Sequence, residues 1–214
     1  ENLVAVHFSK KKILFNKPIY VGMSILDLSK TLMYDFHYNV MKEKYGSNIT
    51  MLYTDTDSLI YDIKTKDFYE DMKHLIEFFD TSDYPSLNQY GLPQVNKKVL
   101  GKMKDELNGR IMREFVGLRS KMYASNIEDN NFIKRSKGVK KSVVENEITF
   151  SNYKDCLFSK TEQYRTMNTI RSQAHNLYSV ELHKVVLSSK DDKRFVLEDN
   201  IRTLAWGHHR IPKI

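Results

Sequence analysis

Apolar side chains recur at helical spacing between Ser24 and Tyr45, at Ile25, Leu28, Leu32, Phe36 and Val40. Residues three and four apart share a helix face, so this pattern predicts one long helix with a single buried stripe. Ser24 is placed to cap it, with Asp27 at the third position of a capping box. Lys42 and Lys44 in the last turn, followed by Gly46, suit its C-terminus. Tyr34 and Tyr38 lie one turn apart and are expected to pack toward the core. Before this helix, Leu3–Phe8 is a short apolar patch, Lys10-Lys11-Lys12 is a basic run, and Pro18 and Gly22 are breakers.

The period then shortens. Ile49–Thr54 and Ser58–Ile63 are rich in β-branched and aromatic residues around a short polar turn, which predicts two paired strands. Asp67 to Phe79 returns to helical spacing, with Asp67 and Glu70 as a capping box and Met72, Leu75, Ile76 and Phe79 as the stripe. From 80 to 94 the chain collects Asp, Ser, Pro, Gly and Asn, including Asp83-Tyr84-Pro85-Ser86 and Asn88-Gln89-Tyr90-Gly91, and reads as loop. Residues 95–126 alternate enough to predict two or three strands, with Val99, Gly101, Met103 and Asp105 on one face and Leu100, Lys102, Lys104 and Glu106 on the other. Asn108-Gly109 is the hairpin signal within them. On the return strand, Ile111–Tyr123, Lys121 and Tyr123 are two apart and are expected to point the same way. A short helix is expected from Thr149 or Ser151, with Phe150, Tyr153 and Leu157 inward. Leu177–Ser188 and Arg194–Leu197 are expected to pair about Lys190-Asp191-Asp192. Together these elements predict an α+β fold with helices on one face of an antiparallel sheet.

Composition narrows the class. The 214 residues are 41% hydrophobic and 29% charged, which suits a packed globular chain rather than a disordered one. A net charge of +7, with a sequence pI of about 9.2, favours a polyanionic partner, nucleic acid or an anionic surface. Five of the positive charges, Lys134, Arg135, Lys137, Lys140 and Lys141, gather around Gly138. With one cysteine, Cys156, no disulfide within the chain is possible and a reducing compartment is expected. No apolar run is long enough to span a bilayer, and the chain, opening at Glu1, reads as a piece of something longer or as processed.

The candidate chemistry sits in the turn between the two strands. Asp55 and Asp57, separated by Thr56, bring two carboxylates to the tip of a ribbon. Like charges this close disfavour joint ionisation, and a divalent cation removes the repulsion; hard oxygen ligands suit magnesium. A plain β-turn explains the same aspartates without any metal.

The full string Tyr53-Thr54-Asp55-Thr56-Asp57-Ser58 resembles the third motif, Y-x-D-T-D-S, of family B DNA polymerases, matching all five fixed positions. Leu118-Arg119-Ser120-Lys121-Met122-Tyr123 is similar to the K-x-Y motif that follows it. Lys137-Gly138-Val139, with Glu147-Ile148-Thr149-Phe150 and Tyr153, is similar to the palm-to-thumb passage of the protein-primed branch, found in phages, linear plasmids and the self-synthesising (Polinton/Maverick-like) transposons with their viral relatives. The resemblance covers nearly the whole chain and is strongest from Ser24 to Phe158.

That resemblance implies the C-terminal part of a palm over residues 1–140 and a small thumb over 141–214. It implies template-directed nucleotidyl transfer from dNTPs to a primer 3′-hydroxyl, with two magnesium ions. Asp57 would be the principal metal ligand and Asp55 an auxiliary acid; Thr56 and Ser58 would shape the turn and Tyr53 would pack beneath it. Lys121 and Tyr123 would hold the primer-template end, and Lys137, Lys140 and Lys141 would face the DNA backbone. Implied partners are the N-terminal half of the polymerase and a terminal priming protein, in a nucleus or at a viral replication site, with no membrane. The first motif, D-x-x-S-L-Y-P-S, and the second are missing, so the chain by itself is expected to be inactive. Asp83–Ser86 and Asn88–Gly91 do not supply them, because they follow the third motif instead of preceding it. The other reading of the same residues is a DNA-binding module, derived from such a polymerase, that keeps the basic surface without catalysis.

Overall fold

The computed structural model describes residues 16–190, 194–198, 202–205 and 207–211. The apolar patch Leu3–Phe8, the run Lys10–Lys12 and the turn residues Asp191 and Asp192 lie outside them. The fold is mixed α+β, built on small antiparallel sheets of two or three strands instead of one larger sheet. Two compact units part between Ile111 and Met112.

The first unit opens on helix α1 (Ile19–Asp35), continued by a π-helical stretch, Phe36–Met41, and by α2 (Lys42–Tyr45). The helix therefore starts five residues before the expected cap. Pro18 stands at its N-cap, where a missing N–H costs nothing, Gly22 is carried inside it, and the Ser24 hydroxyl donates to the Tyr20 carbonyl instead of capping. Gly46 ends it with φ +56, as expected.

Only the C-terminal half of the expected stripe is buried. Phe36, Val40, Met41 and Tyr45 join Ile49, Met72, Phe79, Tyr84 and Leu92 in a core, whereas Ile25 is 60% and Leu28 70% exposed. Ile19, Tyr20, Met23, Leu26, Tyr34 and Tyr38 are exposed as well. Exposed apolar surface on this scale drives association. Replacing Ile25 and Leu28 together by Glu is expected to raise the monomer fraction in light scattering while leaving the unfolding midpoint almost unchanged, because neither side chain is part of the core.

Strands β1 (Ile49–Asp55) and β2 (Ser58–Ile63) form the expected hairpin. Helix α3 (Phe68–His74) follows, with the Asp67 carboxylate accepting from the N–H groups of Tyr69 and Glu70. Glu70 turns its side chain to Lys73, so half of the expected capping box is made.

The strands expected between 95 and 111 do not form. That segment is loop and turn, and Leu100 is almost wholly exposed. Side chains and backbone of the loop lock it instead. Asp80 accepts from the N–H groups of Ser82 and Lys98, Asn96 donates to the carbonyls of Ile76 and Phe79, and Tyr84 donates to Asp105 at 2.5 Å. Asn108-Gly109 does turn the chain, with φ +51 and +84, but joins no strands. The ring of Tyr90 would lie 2.4 Å from a Cβ at Gly109, so glycine is required there for both angle and space.

Asp80 also sets a pH dependence. The hydroxyl and N–H of Ser82, then the N–H of Lys98, hold its carboxyl down at about 2. A folded-state value below the unfolded one stabilises the protein above the unfolded value of roughly 3.9, and that contribution disappears as pH falls through about 2. The expected result is a fall in unfolding midpoint between about pH 4 and pH 2 that Asp80→Asn flattens, read by circular dichroism across that range.

The second unit begins with a sheet of order β3-β4-β5: β3 (Met112–Arg119), β4 (Met122–Ile127) and β5 (Asn131–Ser136). Helices α4 (Lys141–Asn146) and α5 (Phe150–Ser159) follow. Of the two expected starts, Thr149 caps α5, in a complete capping box with Asn152. Tyr153 and Cys156 are the residues α5 buries, while Leu157 turns outward.

β6 (Gln163–Gln173) and β7 (Asn176–Leu187) form a long hairpin about Ala174 and His175, both at positive φ. The strand expected at 177–188 is thus present, but its partner is the preceding segment. Arg194–Val196 (β8) pairs instead with Thr203–Ala205 (β9). One core holds Val116, Leu118, Met122 and Ala124 together with Val143, Ile148, Tyr153, Met167 and Val186. Residues on both sides of position 140 share it, so the expected boundary at 140/141 falls inside a compact unit.

Candidate functional site

The turn of the first hairpin is two residues long, Thr56 and Asp57, with Asp55 paired to Ser58. Thr56 adopts φ +60, and the Asp57 N–H donates back to the Asp55 carbonyl at 2.7 Å. The Ser58 hydroxyl donates to that same carbonyl at 3.2 Å, and the Thr56 hydroxyl to a carboxylate oxygen of Asp55 at 3.3 Å. Both hydroxyls thus bond within the turn. Asp57 is exposed at the tip and Asp55 is half-buried.

A one-residue bulge decides which way Asp55 faces. Leu59, Tyr61 and Ile63 pack on the core of their own unit, so Ser58, Ile60 and Asp62 take the opposite face. Ile49 and Met51 pair with Ile63 and Tyr61 on the core face. The register then shifts at Leu52, and Tyr53 pairs with Ile60 and Asp55 with Ser58. Tyr53 and Asp55 thereby share the face away from that core, with Asp57 next to them at the tip. Tyr53 lies beside the acid, not underneath the turn. Bulges commonly re-aim a side chain in this way.

Behind the hairpin, the π-helical stretch brings His37 onto the ring of Tyr61, centroids 5.6 Å apart and 11° from parallel, with Nδ1 2.9 Å from the phenol oxygen. Burial pushes the Tyr61 hydroxyl up to about 12, and burial followed by the charge of Lys42 lowers His37. A neutral imidazole bonded to a neutral phenol braces the strand that carries Ser58. Nothing in the helical spacing of 36–41 announced this pair.

The other residues singled out from sequence lie in the second unit. Lys121 sits in the two-residue turn between β3 and β4, at φ +61, with its carbonyl accepting from the Lys137 N–H. Tyr123 is in β4, its ring 5.8 Å from that of Phe115. The expectation that both point the same way from one strand fails, because Lys121 is not in the strand. Lys137 and Gly138 form the turn after β5, Lys140 is the N-cap position of α4, and Lys141 pairs with Glu145 at 3.5 Å while remaining largely exposed. Lys134 is diverted from the cluster, donating to the carbonyls of Glu145 and Ile148.

Among the described residues, no group of three or more His, Cys, Asp or Glu side chains is arranged to hold a metal ion. Two carboxylates and two hydroxyls at a hairpin tip offer the hard oxygen donors that magnesium prefers, from one side of an ion only. They fit as part of a magnesium site. No helix among the described residues is long and apolar enough to cross a membrane. No family model matches the chain, and comparisons with curated proteins and with solved structures give no match either.

Proposed function

We propose that this chain is the third-motif half of a protein-primed family B DNA polymerase palm with its thumb, contributing Asp55 and Asp57 to template-directed DNA synthesis. The observation that carries the proposal is the Tyr53–Ser58 string folded as a tight hairpin with both carboxylates at its tip. Magnesium ions bound there would lower the barrier by orienting the primer hydroxyl and neutralising charge on the leaving pyrophosphate. Asp57, exposed at the apex, offers both carboxylate oxygens; Asp55, on the strand and tied to Thr56, is positioned more rigidly and further back. Tyr53 flanks Asp55 on the same face, and Ser58 and Thr56 keep the turn closed.

The basic residues supply the complementary surface. Lys137, Lys140 and Lys141 occupy two successive turns of chain, and phosphate contacts from such a group fix position without reading sequence. Lys121 tops the neighbouring β-turn. In the complete polymerase, Lys140→Ala with Lys141→Ala is expected to weaken primer-template binding equally across sequences. It should shrink the slope of log affinity against log salt by about two, one for each lost contact. Anisotropy titrations from low to moderate salt check this, and an unchanged slope would leave these lysines as solvated surface. The direct test of the proposal is template-dependent primer extension by the complete polymerase with and without Asp57→Ala.

A further inference from the structure

A cleft of about 480 Å³ opens in the second unit, lined by Glu114, Asn126, Phe132 and Lys134 from the sheet and by Thr149 to Ser151 and Lys154 from α5. Its floor follows from register. Glu114 pairs with Asn126 and Asn126 with Phe132, so the three stand in one row across β3, β4 and β5 on the same face. The next row, Val116, Ala124 and Lys134, continues under α5 into the core. The cleft is thus the open end of the groove between sheet and helix, beside the first turn of α5.

Two of its features have no structural role that explains them, and a third sets the charge at its mouth. Phe132 is 46% exposed although it is a large ring, and it stands 5.5 Å from Phe150 at 31°, leaving part of an aromatic surface uncovered. The side-chain oxygen of Asn126 is buried and accepts no hydrogen bond, while its amide donates to Glu114 at 3.4 Å. Exchanging the two amide atoms would set oxygen against carboxylate, so the assignment stands. An orphaned acceptor costs about 1–3 kcal/mol, and a turn about the soft χ2 of asparagine would exchange the long bond to Glu114 for one accepted from a donor in the cleft. Lys154 stands at the mouth, paired with Glu114 and 5.2 Å from the Phe150 ring; with Lys134 also in the lining, cations outnumber the one carboxylate, and the amino end of α5 adds the favourable end of the helix dipole.

We infer that this cleft binds one unpaired nucleotide of a DNA strand, its base against Phe132 and its phosphate between Lys154 and the first turn of α5. A base has two π-faces for the ring, and every base carries an N–H on its pairing edge that Asn126 can accept. Its 3′ or 5′ phosphate meets the cation and the helix end. Aromatic stacking of this kind tolerates any sequence. The cleft and the Asp55–Asp57 hairpin belong to different compact units; the choice of DNA rests on the polymerase reading, and the binding test below is read apart from primer extension.

The test uses the full chain and fluorescent hexathymidylate, with an abasic hexamer of the same charge and a blunt duplex as comparators. Phe132→Ala is expected to weaken hexathymidylate binding roughly tenfold and leave abasic binding unchanged, because the lost interaction is with the base. Lys154→Gln is expected to weaken both, and the duplex to bind no tighter than the abasic strand. Both altered side chains are largely outside the core, and unchanged circular dichroism melts confirm the fold. Equal affinity of parent and Phe132→Ala for hexathymidylate would overturn the proposal, as would equal affinity of the parent for the base-bearing and abasic strands.

Discussion

Under the proposed function, Asp57→Ala is expected to cut nucleotide incorporation by the complete enzyme by about a thousandfold or more while barely moving the unfolding midpoint. The size follows from what the carboxylate would do. Metal ions at a reacting phosphate supply several kcal/mol of charge stabilisation, and every 1.36 kcal/mol is tenfold in rate. The near silence on stability follows from position: Asp57 is exposed at the tip, and the hydrogen bond it makes within the turn comes from its backbone N–H, which alanine keeps. Asp55→Ala should lose less activity and more stability, since it removes a half-buried side chain that accepts from Thr56. Single-turnover extension separates the two. Near-parent rates for the Asp57 variant would show that the hairpin is an ordinary turn.

The largest loss of stability is expected at Tyr153. Its side chain is fully buried at the centre of the second core, and its hydroxyl donates to the Arg135 carbonyl at 3.0 Å. Tyr153→Ala deletes a ring with little room for collapse and should cost roughly 3–5 kcal/mol. Tyr153→Phe keeps the packing and leaves one carbonyl short of a donor, for about 0.5–1.5 kcal/mol. Denaturant melts of the two variants check both values. A loss for alanine no greater than for phenylalanine would mean that α5 is not anchored through this ring.

The parts legible in sequence were those whose signals are local. The hairpin at 49–63 needed only β-branched and aromatic residues about a short polar turn, and the start of α5 needed only a capping residue, Thr149 or Ser151, before apolar residues at helical spacing. The alternation of 95–106 was equally regular and misled. Val99 and Leu100 are apolar there without being buried, and polar groups such as Asp80, Asn96 and Asp105 satisfy the backbone that a ladder would have satisfied. β6 went unseen for the opposite reason. Its residues are mostly polar, Met167 alone is buried, and the strand exists because β7 pairs with it along its length. Ser24 failed as a cap because Pro18 starts the helix earlier. Both site aspartates could be named from sequence, whereas the cleft row of Glu114, Asn126 and Phe132 depends on pairing across three strands.

The extra residue at Leu52 separates the letters of the motif from the face they occupy. Remove Leu52 alone, and Met51 would be followed directly by Tyr53, so Tyr53 and Asp55 would keep Ile60 and Ser58 as partners and the same face. Add one residue to β2 between Ile60 and Tyr61 instead, and Leu52 would gain a partner; the two-residue period would then carry Tyr53 and Asp55 onto the side of Met72 and Phe36, where a carboxylate has no partner. Such an insertion would leave Tyr53 through Ser58 spelling the same string while turning Asp55 away. Two relatives of this chain with identical motifs and a one-residue difference in β2 after Ile60 would therefore present that acid on opposite faces.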